Sequence, residues 1–169
     1  QLETTGGRNI KKITKKYYCI DCGKEVSDKN TQRCAICAAK AKVIPLDSSI
    51  NGYYPTAEQI KNAITPKTKA IMLCSPNNPT GTMIPASELE KIAKVVVENE
   101  IWCISDEIYC ELAYDGAKHT SIGSFDGMKD FAIILNGFSK SFAMTGWRIG
   151  YIAGPKDLLA QIVKLHGYN

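Results

Sequence analysis

Two cations eight residues apart carry the first chemical signal in this chain. Lys140 follows the apolar run Phe131 to Leu135, which reads as a buried strand, and Arg148 ends the loop that comes after it. A lysine delivered from a strand end is expected neither on a solvated helix face nor at a loop tip. Desolvation there lowers an amine pKa and makes it a usable nucleophile. A forked guanidinium offers the bidentate donors that a phosphate needs and a lysine cannot supply. The structural reading of the same residues is a pair of cations held in ion pairs at a strand end.

Two further strand ends carry polar residues. Lys69-Ala-Ile-Met-Leu-Cys74 is a continuous apolar run followed by Ser75-Pro-Asn-Asn-Pro-Thr-Gly81, and Ile101-Trp-Cys-Ile-Ser105 runs into Asp106-Glu-Ile-Tyr109. In open α/β sheets, ligands bind beyond the carboxyl ends of the strands, so Asn78, Asp106, Tyr109, Ser139 and Lys140 are candidates for one site. Each has a plainer reading. Asp106 suits a helix cap, Asn78 a turn before Pro79, Tyr109 a core aromatic with its hydroxyl at the edge, and Ser139 an ordinary loop.

The elements that would position them alternate. Lys42 to Leu46 reads as a short extended segment with Pro45 at a sheet edge or strand end. Thr56 caps a helix through Ile64, stopped by Pro66, and Ser87 caps another to about Asn99 with Leu89, Ile92, Ala93, Val96 and Val97 on one face. The run at 69–74 predicts a strand buried on both faces. Residues 116–129 are loop-like, Trp147 to Ala153 is a fourth strand, and a last helix starts near Pro155. This alternation predicts an α/β fold with a mainly parallel sheet flanked by helices.

The stretches Ser75-Pro-Asn-Asn-Pro-Thr-Gly81, Ser105-Asp-Glu-Ile-Tyr109 and Gly137-Phe-Ser-Lys-Ser-Phe-Ala-Met-Thr-Gly-Trp-Arg-Ile-Gly150 resemble three successive motifs of the fold-type I pyridoxal-phosphate (PLP) aminotransferases, class I/II, of the aspartate/aromatic type. The resemblance covers residues 41–169 and implies a partial PLP-transferase large domain. It implies transfer of an amino group between an amino acid and a 2-oxo acid through a PLP Schiff base on Lys140. Asp106 would pair with the pyridine nitrogen, Asn78 and Tyr109 would hold the phenolic oxygen, and Arg148 with Ser139 would hold the phosphate. A homodimer is the family's usual assembly. Because only a central slice of such an enzyme is present, weak PLP affinity is expected.

Residues 17–40 differ in texture. Cys19, Cys22, Cys34 and Cys37 form C-x2-C-x11-C-x2-C, a spacing that can place four thiolates around one tetrahedral ion, for which soft sulfur ligands select zinc; the plainer reading is four unliganded thiols. The segment resembles short zinc ribbons. Residues 1–16 read as a flexible basic arm, and residues 1–42 hold ten Lys/Arg against four Asp/Glu, while the remainder holds eleven against thirteen. Contact of this arm with nucleic-acid phosphates is one expectation. A zinc-ribbon nucleic-acid binder with a non-catalytic body is therefore the alternative function. No His-Asn-His nuclease pattern accompanies it, since His119 and His166 are the only histidines.

No apolar run approaches the roughly 20 residues of a membrane span, and the first sixteen residues lack an apolar signal stretch. A cytoplasmic protein is the expectation, with Cys74, Cys103 and Cys110 as small buried hydrophobes.

Overall fold

The computed structural model describes residues 17–18, 25–26 and 42–167. It divides into two units, residues 1–43 and 44–169. In the first, β1 (Tyr17–Tyr18) pairs antiparallel with β2 (Glu25–Val26), Tyr17 opposite Val26. The four cysteines and the basic arm lie outside the described residues.

In the second unit, residues 42–48 form no ladder, so the extended segment expected there is irregular chain. Helix α1 (Ala57–Ala63) opens with a reciprocal capping box. The Thr56 hydroxyl accepts from the Gln59 N–H at 3.2 Å, while Gln59 Oε1 accepts from the Thr56 N–H at 3.0 Å. The helix ends at Ile64, whose backbone is already extended two residues ahead of Pro66.

Strand β3 (Ala70–Cys74) leads through the Asn-Pro loop to α2 (Ala86–Glu98) and then to β4 (Trp102–Asp106). Pro85, not Ser87, is the N-cap of α2, and exposed Ser87 lies within the first turn. Leu89, Ile92, Ala93, Val95 and Val96 form its buried stripe. β5 (Ala132–Gly137) follows, then the short helix α3 (Phe138–Ser141), β6 (Gly150–Ala153) and α4 (Lys156–His166). Trp147 belongs to a 3-10 turn, so the last strand starts three residues later than its apolar pattern implies.

The sheet order is β3-β4-β5-β6, with the first three strands parallel and β6 antiparallel to β5. The core joins the α2 stripe to Ile60 of α1, Leu73, Cys103, Ala132, Ile122 and Met128. β3 is an edge strand covered on one face only. Leu73 is buried, but Ala70 is exposed and Met72 is 69% exposed, which corrects the expectation of burial on both faces. A continuous apolar run cannot distinguish these cases, because methionine and alanine satisfy either.

Candidate active site

The parallel register brings three strand ends level. Cys74 of β3 lies opposite Asp106 of β4, and Asp106 lies opposite Leu135 of β5. At the end of β5, Asn136 is opposite Tyr151 and Gly137 is opposite Gly150 of β6, so the chain that carries Lys140 and Arg148 leaves and re-enters the sheet at this same edge.

The β3 loop closes on itself. The Ser75 N–H donates to Asp106 O at 3.1 Å, and Ser75 Oγ, buried, accepts from the Ile84 N–H at 3.0 Å. Inside the loop the Gly81 N–H donates to Asn77 O at 2.8 Å, and the Thr80 hydroxyl donates to Asn77 Oδ1 at 2.9 Å. Gly81 has φ +72°, the left-handed turn that a residue without Cβ adopts freely. Asn78 is thereby presented outward, and its Nδ2 donates to the Tyr109 hydroxyl at 3.1 Å. These two, with Pro76, Pro79, Leu112 and Tyr114, line an open recess of about 300 Å³.

Asp106 is half-buried at the end of β4, and its Oδ1 accepts from the Ile108 N–H at 3.1 Å. This local turn is the capping-type reading made of Asp106, and it leaves the second carboxyl oxygen for another partner. Lys140 sits on the four-residue α3 and is exposed, so the buried strand-end setting expected for it is not what the described residues provide. Its Nζ lies 5.6 Å from the Tyr109 ring centroid, within cation–π range. Tyr109 therefore touches both Asn78 and Lys140. Ser139 is half-buried on the same helix. Arg148 is exposed at φ 55°, and its Nη1 donates to Thr145 O at 2.9 Å, which folds the guanidinium back on its own loop.

Gly137 sets where this excursion begins. A Cβ there would stand 2.9 Å from Ile149 O, 3.1 Å from Gly150 Cα and 3.2 Å from Ile108 Cδ1. Two of the three are backbone, so β5 and β6 can approach only with glycine at this point. Phe138 then packs on Phe142 and Tyr151, with ring centroids 5.7 and 6.0 Å apart.

Among the three cysteines described, only Cys103 is fully buried; Cys74 and Cys110 are half-exposed, against the expectation for all three. Burial pushes the Cys103 thiol up to about 12, with Glu107 adding to the effect, which removes it as a nucleophile.

One polar cluster escaped the sequence reading. Glu107, 4% exposed, accepts from Ser105 Oγ at 3.1 Å and Ser121 Oγ at 2.9 Å on Oε1, and its Oε2 lies 3.0 Å from His119 Nε2. The available signal was strand alternation, which puts residues 103, 105 and 107 on the helix-covered side. Nothing in the sequence marks His119 and Ser121 as their partners.

The profile of the family described as Aminotransferase class I and II matches residues 29–168, starting inside the stretch assigned to the four-cysteine module. An aspartate aminotransferase of Bacillus sp. (strain YM-2) is 50% identical over 123 residues, covering 72% of this chain and 31% of that relative. Aromatic-amino-acid aminotransferase 2 of Thermococcus litoralis is 43% identical over 119 residues, with coverages of 70% and 31%. The crystal structure of an aromatic aminotransferase from Pyrococcus horikoshii OT3 superposes with a TM-score of 0.68 at 44% identity, over 72% of this chain and 32% of that one. The chain belongs to the class I and II aminotransferase family. It spans about a third of the length of these relatives.

Among the described residues, no helix is long and apolar enough to cross a membrane, and no group of three or more His, Cys, Asp or Glu side chains is arranged to hold a metal ion.

Proposed function

We propose that the chain carries the lysine-bearing part of a PLP-dependent aminotransferase site, which moves an amino group between an amino acid and a 2-oxo acid. The observation that carries this reading is the meeting of three strand ends at Tyr109, whose hydroxyl contacts Asn78 and whose ring faces Lys140. The donor set suits PLP. Asp106 would hold the pyridine nitrogen protonated, Asn78 and Tyr109 would donate to the phenolic oxygen, and Arg148 with Ser139 would take the phosphate. PLP supplies an electron sink when bound. Lys140 would form the Schiff base with it and then serve as the proton carrier. The exposed aromatics Phe142, Trp147 and Tyr151 provide apolar surface consistent with a homodimer.

Titrating the chain with PLP tests this directly. A Schiff-base absorbance band that disappears in Lys140→Ala supports it, and a chain that gives no lysine-dependent band refutes cofactor binding.

We also propose a structural zinc at Cys19, Cys22, Cys34 and Cys37, supported by their spacing and by the β1–β2 pairing on either side of the first two in sequence. Metal analysis of the purified chain checks it: one zinc, lost in Cys19→Ser, is the expected result. The alternative of nucleic-acid binding through the basic arm predicts salt-dependent binding abolished by the same substitution.

A further inference from the structure

We infer that Glu107, with His119 and Ser121, is a positioning device for Tyr109; the inference rests on the PLP reading above. The chain leaves β4 at Asp106, arcs outward through Tyr109, Leu112 and Tyr114, and returns at His119 to Ser121. All three outer residues line the recess beside Asn78. Turn hydrogen bonds at the start of the arc, from the Cys110 N–H to Glu107 O and from the Leu112 N–H to Tyr109 O, each at 2.9 Å, shape it locally. They do not tie its two ends together.

The Glu107 side chain does. It is anchored in the sheet, because its own N–H donates to Leu135 O at 2.9 Å and Ser105 Oγ donates to its Oε1. Its remaining contacts reach the returning limb of the arc. Ser121 Oγ donates to Oε1, and His119 meets Oε2, across sequence separations of 14 and 12 residues. The return is itself fixed. Ser121 Oγ accepts from the Gly123 N–H at 3.3 Å, and Ile122, 1% exposed, is buried in the core.

A carboxyl group buried this deeply is destabilising unless its oxygens are partnered. Here the partners are drawn from both ends of the arc. Burial of Glu107 is therefore coupled to closure of the base of the arc, and closure fixes where the Tyr109 hydroxyl and ring stand. The acidic pair Asp106-Glu107 divides its work by strand alternation. One residue turns to the candidate cofactor position, and its neighbour turns to the opposite side and holds the arc.

The test uses the full chain and two readouts on His119→Ala, Tyr109→Phe and the double variant. Hydrogen exchange of the His119→Ala variant should accelerate about tenfold at amides within 108–118, the effect of losing one buried hydrogen bond, and leave β3, β4 and α2 unchanged. PLP affinity, read from the Lys140-dependent band, should fall in each single variant and no further in the double, since His119 acts through Tyr109. Exchange that rises uniformly across the sheet, or affinity losses that add, would overturn the inference and leave a general stabiliser in its place. Should His119→Ala not fold, Ser121→Ala removes a single hydroxyl and reads the same exchange pattern. A wild-type chain that binds no PLP defeats the proposed function, while the exchange pattern still decides whether the arc is closed by Glu107.

Discussion

The two sides of the candidate site are built differently. Asn78 and Tyr109 stand on loops whose bases are closed by buried side chains, Ser75 for one and Glu107 for the other. Lys140 and Arg148 stand on an excursion between β5 and β6 held by a backbone approach at Gly137, a cluster of three aromatic rings and local hydrogen bonds. Phe142 is 63% exposed and Trp147 70%. The first side derives its geometry from the core that α2 covers. The second has its apolar side chains at the surface and takes its place from the register of two strands. Asn78 and Tyr109, proposed for the ring oxygen, are thus fixed by the fold of this unit, whereas Lys140 and Arg148, proposed for the Schiff base and the phosphate, are fixed mainly by the chain's path.

Substitutions can separate the two. Ile92→Ala removes a fully buried side chain from the core cluster that also holds Leu73 and Cys103, and should cost about 2–5 kcal/mol, measured by urea unfolding. Both sides of the site should be lost together, because the core is shared. Gly137→Ala should cost about 1–3 kcal/mol, since the new Cβ meets backbone that can give way only by parting β5 from β6. Hydrogen exchange should then rise through 138–153 and leave 86–106 unaltered. An even rise in both segments would show that the excursion is not a separate region.

Glu88→Gln probes the covered side more gently. Glu88 Oε1 accepts from the Ala57 N–H at 2.8 Å and joins α2 to the start of α1. That hydrogen bond, assisted by Lys91, holds the Glu88 carboxyl below its ordinary 4.5. A lowered folded value means the stabilisation is complete above 4.5 and is lost as pH falls through the folded value. The variant should lose about 1 kcal/mol at neutral pH and show a flatter stability profile in acid, read by thermal unfolding across that range.

Much of this was legible in the residues. Thr56 announces a helix cap, the stripe from Leu89 to Val96 announces a one-faced helix, and three apolar runs ending in polar residues announce a sheet with a site at one edge. The setting of Lys140 was not legible. Its apolar approach implies enclosure, but enclosure depends on what lies across the space, and sequence periodicity reports only on the element itself. The one-sided burial of β3 escaped for the same reason. Glu107 escaped because its partners are distant in sequence. A buried carboxyl is recognised by the hydroxyls and imidazole around it, and Ser121 and His119 look like loop residues until the arc returns them to β4.

The most direct measurement is to incubate the chain with PLP, reduce the adduct with borohydride and locate the modified lysine by peptide mass spectrometry. A single modified site at Lys140, weakened by Tyr109→Phe, is the predicted result. Modification spread over the exposed lysines of the chain, with no preference for Lys140, would contradict the assignment of this lysine as the cofactor's partner.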